Sequence, residues 1–172
     1  MISSVAAFLQ YFAGVNDRAM RDVGVLPTEA ETWTPPPSAG ERAWSIPQIV
    51  GHMAASRMFF ARAFGGQGWS ADPWPEPTRT RAEWKAALES SGRQLAEIVA
   101  GGGDERMRTK IQPFDPSDHA ISGWRVLMLM VEHDIHHRSQ IDTYAGVLGW
   151  PVAHIFGRSA EEVGLAAGRS ST

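Results

Sequence analysis

The stretch Val131-Glu-His-Asp-Ile-His-His-Arg-Ser-Gln140 decides the fold; it continues the apolar run from Val126 and leads into Ile141, Tyr144 and Leu148. On a helix, His133 and His137 stand one turn apart on one face, the spacing with which two imidazoles can hold one metal ion. At about 100° per residue, an arc of about 120° centred on this pair also collects Val126, Leu129, Met130, Gln140, Ile141, Tyr144 and Leu148. The pair therefore belongs to a core-facing stripe. His136 falls instead with Arg125, Glu132 and Thr143, toward solvent. Burying two imidazoles is costly unless each ring nitrogen finds a partner, and a shared metal supplies one. Hydrogen-bonded core histidines are the plainer alternative for these two residues taken alone.

Working outward, Ser45-Ile-Pro-Gln48 has the form of a capping box with proline in the first turn, and the helix it opens runs to about Phe64, where Gly65-Gly66 stops it. Its inward stripe is Ile49, His52, Ser56, Phe59, Phe60 and Ala63. A lone core histidine is more often structural, but as a partner for the later pair His52 is the natural third ligand. Further upstream, Val5, Phe8, Leu9, Phe12, Val15, Ala19, Met20 and Val23 recur at helical spacing, so residues near 3–23 are predicted to form an amphipathic helix capped by Ser3 or Ser4. Leu26-Pro27 ends it, and Thr28 to Ala43, with three consecutive prolines from Pro35, reads as a stiff connection without a pattern of its own.

Between the two histidine helices, Gly65 to Arg79 is a loop rich in Gly, Pro and Trp, apolar enough at Trp69 and Trp74 to lie over a core or wall a pocket. Thr80-Arg-Ala-Glu83 is another capping box, opening a helix with Trp84, Ala87, Leu88, Ser91, Leu95 and Ile98 on its stripe and Gly101-Gly102-Gly103 at its close. Met107, Thr109 and Ile111 alternate as a short extended piece would, and Ser122 is placed to cap the central helix, which ends at Gly149-Trp150-Pro151. Ser159-Ala-Glu-Glu162 predicts a short C-terminal helix before a flexible tail over 169–172. Four long helices with almost no strand signal predict an all-α fold, a four-helix bundle in which the long first and third connections permit crossovers, forming a single domain over 1–168.

Composition narrows the chemistry. The 172 residues carry a formal net charge of -3 with no block of like charges, which gives no footprint for nucleic acid or an anionic membrane. There is no cysteine, so any metal must be held by histidine and carboxylate, and any thiol must come from outside the chain. With no basic stretch before an apolar run and no run approaching the ~18 residues of a membrane span, a cytoplasmic protein is expected.

Ile-Val-Gly-His52-Met-Ala, Trp44-Ser-Ile before it, the His-x-x-His-His-Arg-x-Gln run ending at Gln140 and Leu148-Gly149 together resemble the DinB/YfiT-like family of metalloenzymes, over most of the chain. The resemblance implies a four-helix bundle carrying a divalent metal on three histidines, which by position are His52, His133 and His137. Ser139 stands where members often have glycine. The resemblance also implies homodimers, and activities that range from thiol-dependent S-transfer to mycothiol-dependent isomerisation.

Three neutral imidazoles leave a divalent ion its full charge and an open position, where the pKa of water falls toward ~7 or a thiolate is held at neutral pH. The expectation is a metal-dependent enzyme acting on a small electrophilic molecule by S-transfer with a low-molecular-weight thiol. The alternatives are a metal-dependent hydrolase and a non-catalytic, stress-associated metal-binding protein. Imidazole suits several transition metals, with zinc or nickel expected here. Glu132 and Asp134 fall off the ligand face and are assigned to support behind the ligands or to the surface, with the surface favoured, Arg138 to a structural salt bridge, and His119 and His154 to surface loops. Gln140 and Tyr144 share the inward arc without an assigned role.

Overall fold

A computed structural model describes residues 2–36, 43–76, 78–115 and 119–154. Four helices dominate them: α1 (Val5–Val25), α2 (Ile46–Gly65), α3 (Arg81–Arg108) and α4 (Gly123–Leu148). The predicted helix over 3–23 is thus found two residues later, with Ser4 as its N-cap accepting from the Ala7 N–H. α2 begins as its sequence indicates, the Ser45 N–H donating to Gln48 Oε1 at 2.9 Å, and ends at Gly66 with φ 81°, a left-handed conformation that favours glycine. Thr80 and Glu83 exchange their capping-box hydrogen bonds at the start of α3.

Three expectations need correction. The connection after α1 is not without pattern, because Thr28–Glu31 closes a 3-10 turn. The three glycines do not end α3: helical backbone continues to Arg108, with a break at Gly103, whose φ of 68° and ψ of 171° lie outside the helical region. Leu148 was placed on the inward stripe of α4 but is exposed, because it sits in the last turn beyond the packed partners. The extended piece is real but minimal: β1 (Lys110–Ile111) pairs antiparallel with β2 (Ile121–Ser122) in the hairpin that delivers α4. The helix predicted from Ser159 and the C-terminal tail lie outside the described residues.

The helices pack as a bundle in which α1 and α2 each lie against both α3 and α4. α1 and α2, consecutive in sequence, are at most marginally in contact, so they occupy one diagonal. The first connection thus joins helices on one diagonal, while α3 and α4, joined through the hairpin, meet closely where α4 begins at Gly123.

The core is divided along its length. One apolar cluster joins Phe8, Phe12, Phe64, Leu95, Val99, Leu127 and Met130. The other joins Val23, Leu26, Ile46, Ile49, Met53, Trp84, Leu88 and Ile141. Between these levels runs a polar layer, in which the fully buried Arg57 donates from Nε to Asp134 Oδ2 at 2.8 Å. Arg57 Nη1 donates to Asn16 Oδ1, to the Leu88 carbonyl and to Ser91 Oγ. Arg138 forms a second buried ion pair with Asp22, in keeping with the structural role expected of it.

Candidate metal centre

His52 reaches the centre from the middle of α2, and His133 and His137 reach it from α4. One ring nitrogen from each of the three lies within 4.8 Å of the other two, an arrangement able to hold a metal ion. The Nε2 atoms of His52 and His133 are 2.9 Å apart. The ring centroids of His133 and His137 are separated by 4.4 Å, and His52 lies 4.8 Å and 4.9 Å from them. His136 is exposed, as its place on the wheel requires, and stands outside the converging group with its ring 5.0 Å from that of His137.

The surroundings favour neutral imidazole. Burial is the main cause that pushes His133 down to about 3, helped by His137, His52 and His136. His52 is lowered by burial and then by His137. Burial also lowers His137, opposed by its hydrogen bond to Gln140. Metal ligation needs the unprotonated ring, so an environment that resists protonation prepares the donors.

Gln140 sets the orientation of one of them. Its Oε1 lies 3.1 Å from His137 Nδ1, and its Nε2 donates to the Tyr144 hydroxyl at 3.0 Å. With Gln140 Oε1 accepting the Nδ1–H, the lone pair of His137 is carried by Nε2, the outer partner thereby choosing the tautomer. Trp33 packs on Tyr144 with centroids 5.0 Å apart and secures the far end of this chain. Gln140 and Tyr144 therefore have a part in the arrangement that helix periodicity alone did not assign.

Trp44 closes one side of the cluster, stacked on His137 at 5.7 Å and edge-on to His52 at 4.6 Å. On another side, Ser56 Oγ lies 3.3 Å from His133 Nε2. A cleft of about 450 Å³ opens there, bounded by α2 and the loop carrying Trp69 and Trp74. The three nitrogens converge without an aspartate or glutamate among them, so the described residues fit an ion bound by imidazole alone with further coordination positions open.

The assignment of Asp134 to the surface is overturned, since it is 1% exposed and paired with Arg57. Glu132 does lie at the surface and pairs with Arg125. Arg57 was not singled out from the sequence at all. A basic residue at a buried register of an otherwise apolar helix, with Asp134 available on another, is the signal that could have found it.

The model of the DinB family matches residues 1–163. The chain belongs to the DinB family. Its fold is similar to that of a DinB-like protein from Bacillus cereus, with a TM-score of 0.69 at 16% identity, covering 90% of this chain and 99% of that one. A DinB-like protein from Bacillus subtilis is similar at a TM-score of 0.64 and 17% identity, covering 84% and 92%. No curated protein matches the sequence. At such identities the likeness speaks for the DinB fold, and the chemistry must be argued from the centre itself.

Proposed function

We propose that this DinB-family protein is a metal-dependent enzyme that joins a low-molecular-weight thiol to a small electrophilic molecule, with His52, His133 and His137 holding a divalent transition ion, zinc or nickel. The observation that carries this reading is the convergence of three imidazoles, each held toward its neutral form, with no carboxylate in the cluster. An ion bound by three neutral ligands keeps its +2 charge and supplies an open position that favours a thiolate at neutral pH. The chain contributes the rest. Gln140 fixes the ring of His137, Trp44 excludes water from one side, and the cleft beside Ser56 admits a substrate on another. No cysteine is present, so the sulfur nucleophile comes from the co-substrate. In the transfer, sulfur bonds to the electrophilic carbon while the leaving group departs with its electron pair and the thiol proton passes to solvent.

The test is elemental analysis of protein purified without chelator or affinity tag, followed by assay with glutathione, mycothiol and bacillithiol against a generic electrophile. Close to one transition metal per chain is expected, lost in His52→Ala, His133→Ala and His137→Ala and retained in His136→Ala. Turnover should need both thiol and metal. Metal-dependent hydrolysis without thiol would replace the transferase with a hydrolase, and an intact metal without turnover would leave a binding protein.

The working unit is proposed to be a homodimer, which suits the exposed apolar side chains Ile135, Trp124 and Val147 of α4. Light scattering at micromolar concentration should give twice the chain mass; a monomer mass removes this part of the reading.

A further inference from the structure

The cleft beside Ser56 has a chemistry of its own. Phe59 and Phe60 of α2 form its floor, and Trp69 crosses above them with its ring 5.1 Å from Phe59 and 5.9 Å from Phe60. Phe114 extends the aromatic surface outward, 6.0 Å from Phe59. At the mouth, Trp74 is 65% exposed, and Phe114 is 74% exposed. Large rings left in water beside a cavity of this size form a surface that a small apolar molecule would cover favourably.

The walls of the cleft are tied in place by hydrogen bonds. The Arg62 guanidinium donates to the carbonyls of Ser70 and Asp72, and Trp69 Nε1 donates to the Gln112 carbonyl at 2.7 Å. Its volume of about 450 Å³ falls within the range of small-molecule sites. Histidines apart, Asp72 is the one ionisable group among the described lining residues, and no lysine or arginine is among them, so in the metal-free protein an anionic ligand finds no counter-charge there. Polar groups gather at the inner end, where Ser56 Oγ and His133 Nε2 are 3.3 Å apart.

Resting on the transferase reading above, we propose that this cleft binds the electrophile and that the electrophile is an uncharged aromatic compound, its ring against the joined faces of Phe59 and Trp69 and its reactive end toward Ser56 and His133. Aromatic rings select it through offset and edge-to-face contacts. The polar corner offers Ser56 and His133 as hydrogen-bonding groups at the inner end.

Equilibrium dialysis of the metal-free protein with 2-naphthol, a neutral non-reactive probe, tests the site apart from any turnover. Saturable binding of one molecule per chain is expected, weakened at least ~tenfold by Phe59→Ala, which removes the floor. Because that substitution also touches packing, Ala71→Phe provides a second variant on the loop, filling the cleft and expected to weaken the probe by at least ~tenfold. Tyr11→Ala, at a 42% exposed position on α1 outside the cleft lining, should leave binding unchanged. Naphthalene-2-sulfonate, with the same ring and a negative charge, should bind at least ~tenfold more weakly than 2-naphthol. Absence of saturable binding up to about 1 mM overturns the proposal, as does binding that neither cleft variant weakens, or sulfonate affinity equal to that of the neutral probe. Metal content measured on separate, metal-loaded samples keeps failure of this site distinct from failure of the metal reading.

Discussion

Arg57 is a full positive charge with no exposure to water, and everything around it is arranged to meet it. Asp134 balances the charge, while Asn16, Ser91 and the Leu88 carbonyl take hydrogen bonds, so one guanidinium ties together all four helices. Such pairs contribute little net stability compared with apolar side chains of the same shape, yet removing one partner strands the other. Arg57→Met is therefore expected to cost about 3–5 kcal/mol, read as a lowered urea midpoint, with Asp134→Leu added on top restoring most of it. A double variant less stable than the single one would contradict this account. The same two residues mark the limit of what the sequence disclosed. His52, His133 and His137 were legible because an imidazole in an apolar stripe is a local anomaly. Asp134 was misplaced because the wheel was centred on the histidine pair. The observed buried face of α4 runs through Leu127, Met130, Val131, Asp134, Arg138 and Ile141, and leaves His133 at its edge.

Among the elements, α4 depends on how closely its first turn approaches α3. A Cβ built on Gly123 would stand 2.0 Å from the Arg106 carbonyl oxygen, a backbone atom that cannot move aside cheaply, and 3.1 Å from a ring carbon of Phe64. The Arg106 side chain meanwhile donates through Nε to the Phe64 carbonyl at 2.6 Å, binding the end of α2 to the same place. Gly123→Ala should destabilise the protein by about 1–3 kcal/mol despite the better helix propensity of alanine, and thermal denaturation checks it. No loss of melting temperature would show that the junction can give way. Helix starts were well predicted because capping boxes are complete within four residues, as at Ser45 and Thr80. The end of α3 was not, since the helical backbone resumes after Gly103 and seats Met107 in the core, a contact outside any local window.

For the whole molecule, the buried titratable groups act in opposite directions. His133 is held at about 3 against an ordinary 6.5, so between these values the unfolded chain takes up a proton that the folded one refuses. Its stabilising contribution is complete above 6.5 and is lost as pH falls toward 3; His52 and His137, also lowered, add the same sign. Asp22 is pushed up from 3.8 to about 6, first by burial and then by Asp142, against the pull of Arg138. Its contribution is present below 3.8 and is lost as pH rises through about 6, partly masking the histidines. Metal-free protein should thus lose urea resistance between about pH 7 and about pH 5, with a shallower loss in His133→Phe and a steeper one in Asp22→Asn. Identical slopes in all three would refute the assignment.

The diagonal placement of α1 and α2 carries a consequence for synthesis. As the nascent chain leaves the ribosome, Phe8, Phe12 and Val15 emerge on a helix whose neighbour in sequence is not its neighbour in space. α2 reaches those rings across the diagonal only by side chains such as Arg57, 5.3 Å from the Phe12 ring, and Phe64. Their full cover comes only once α3 and α4 have been translated, so the segment carrying α1 and α2 is a natural client for chaperones that hold exposed apolar segments.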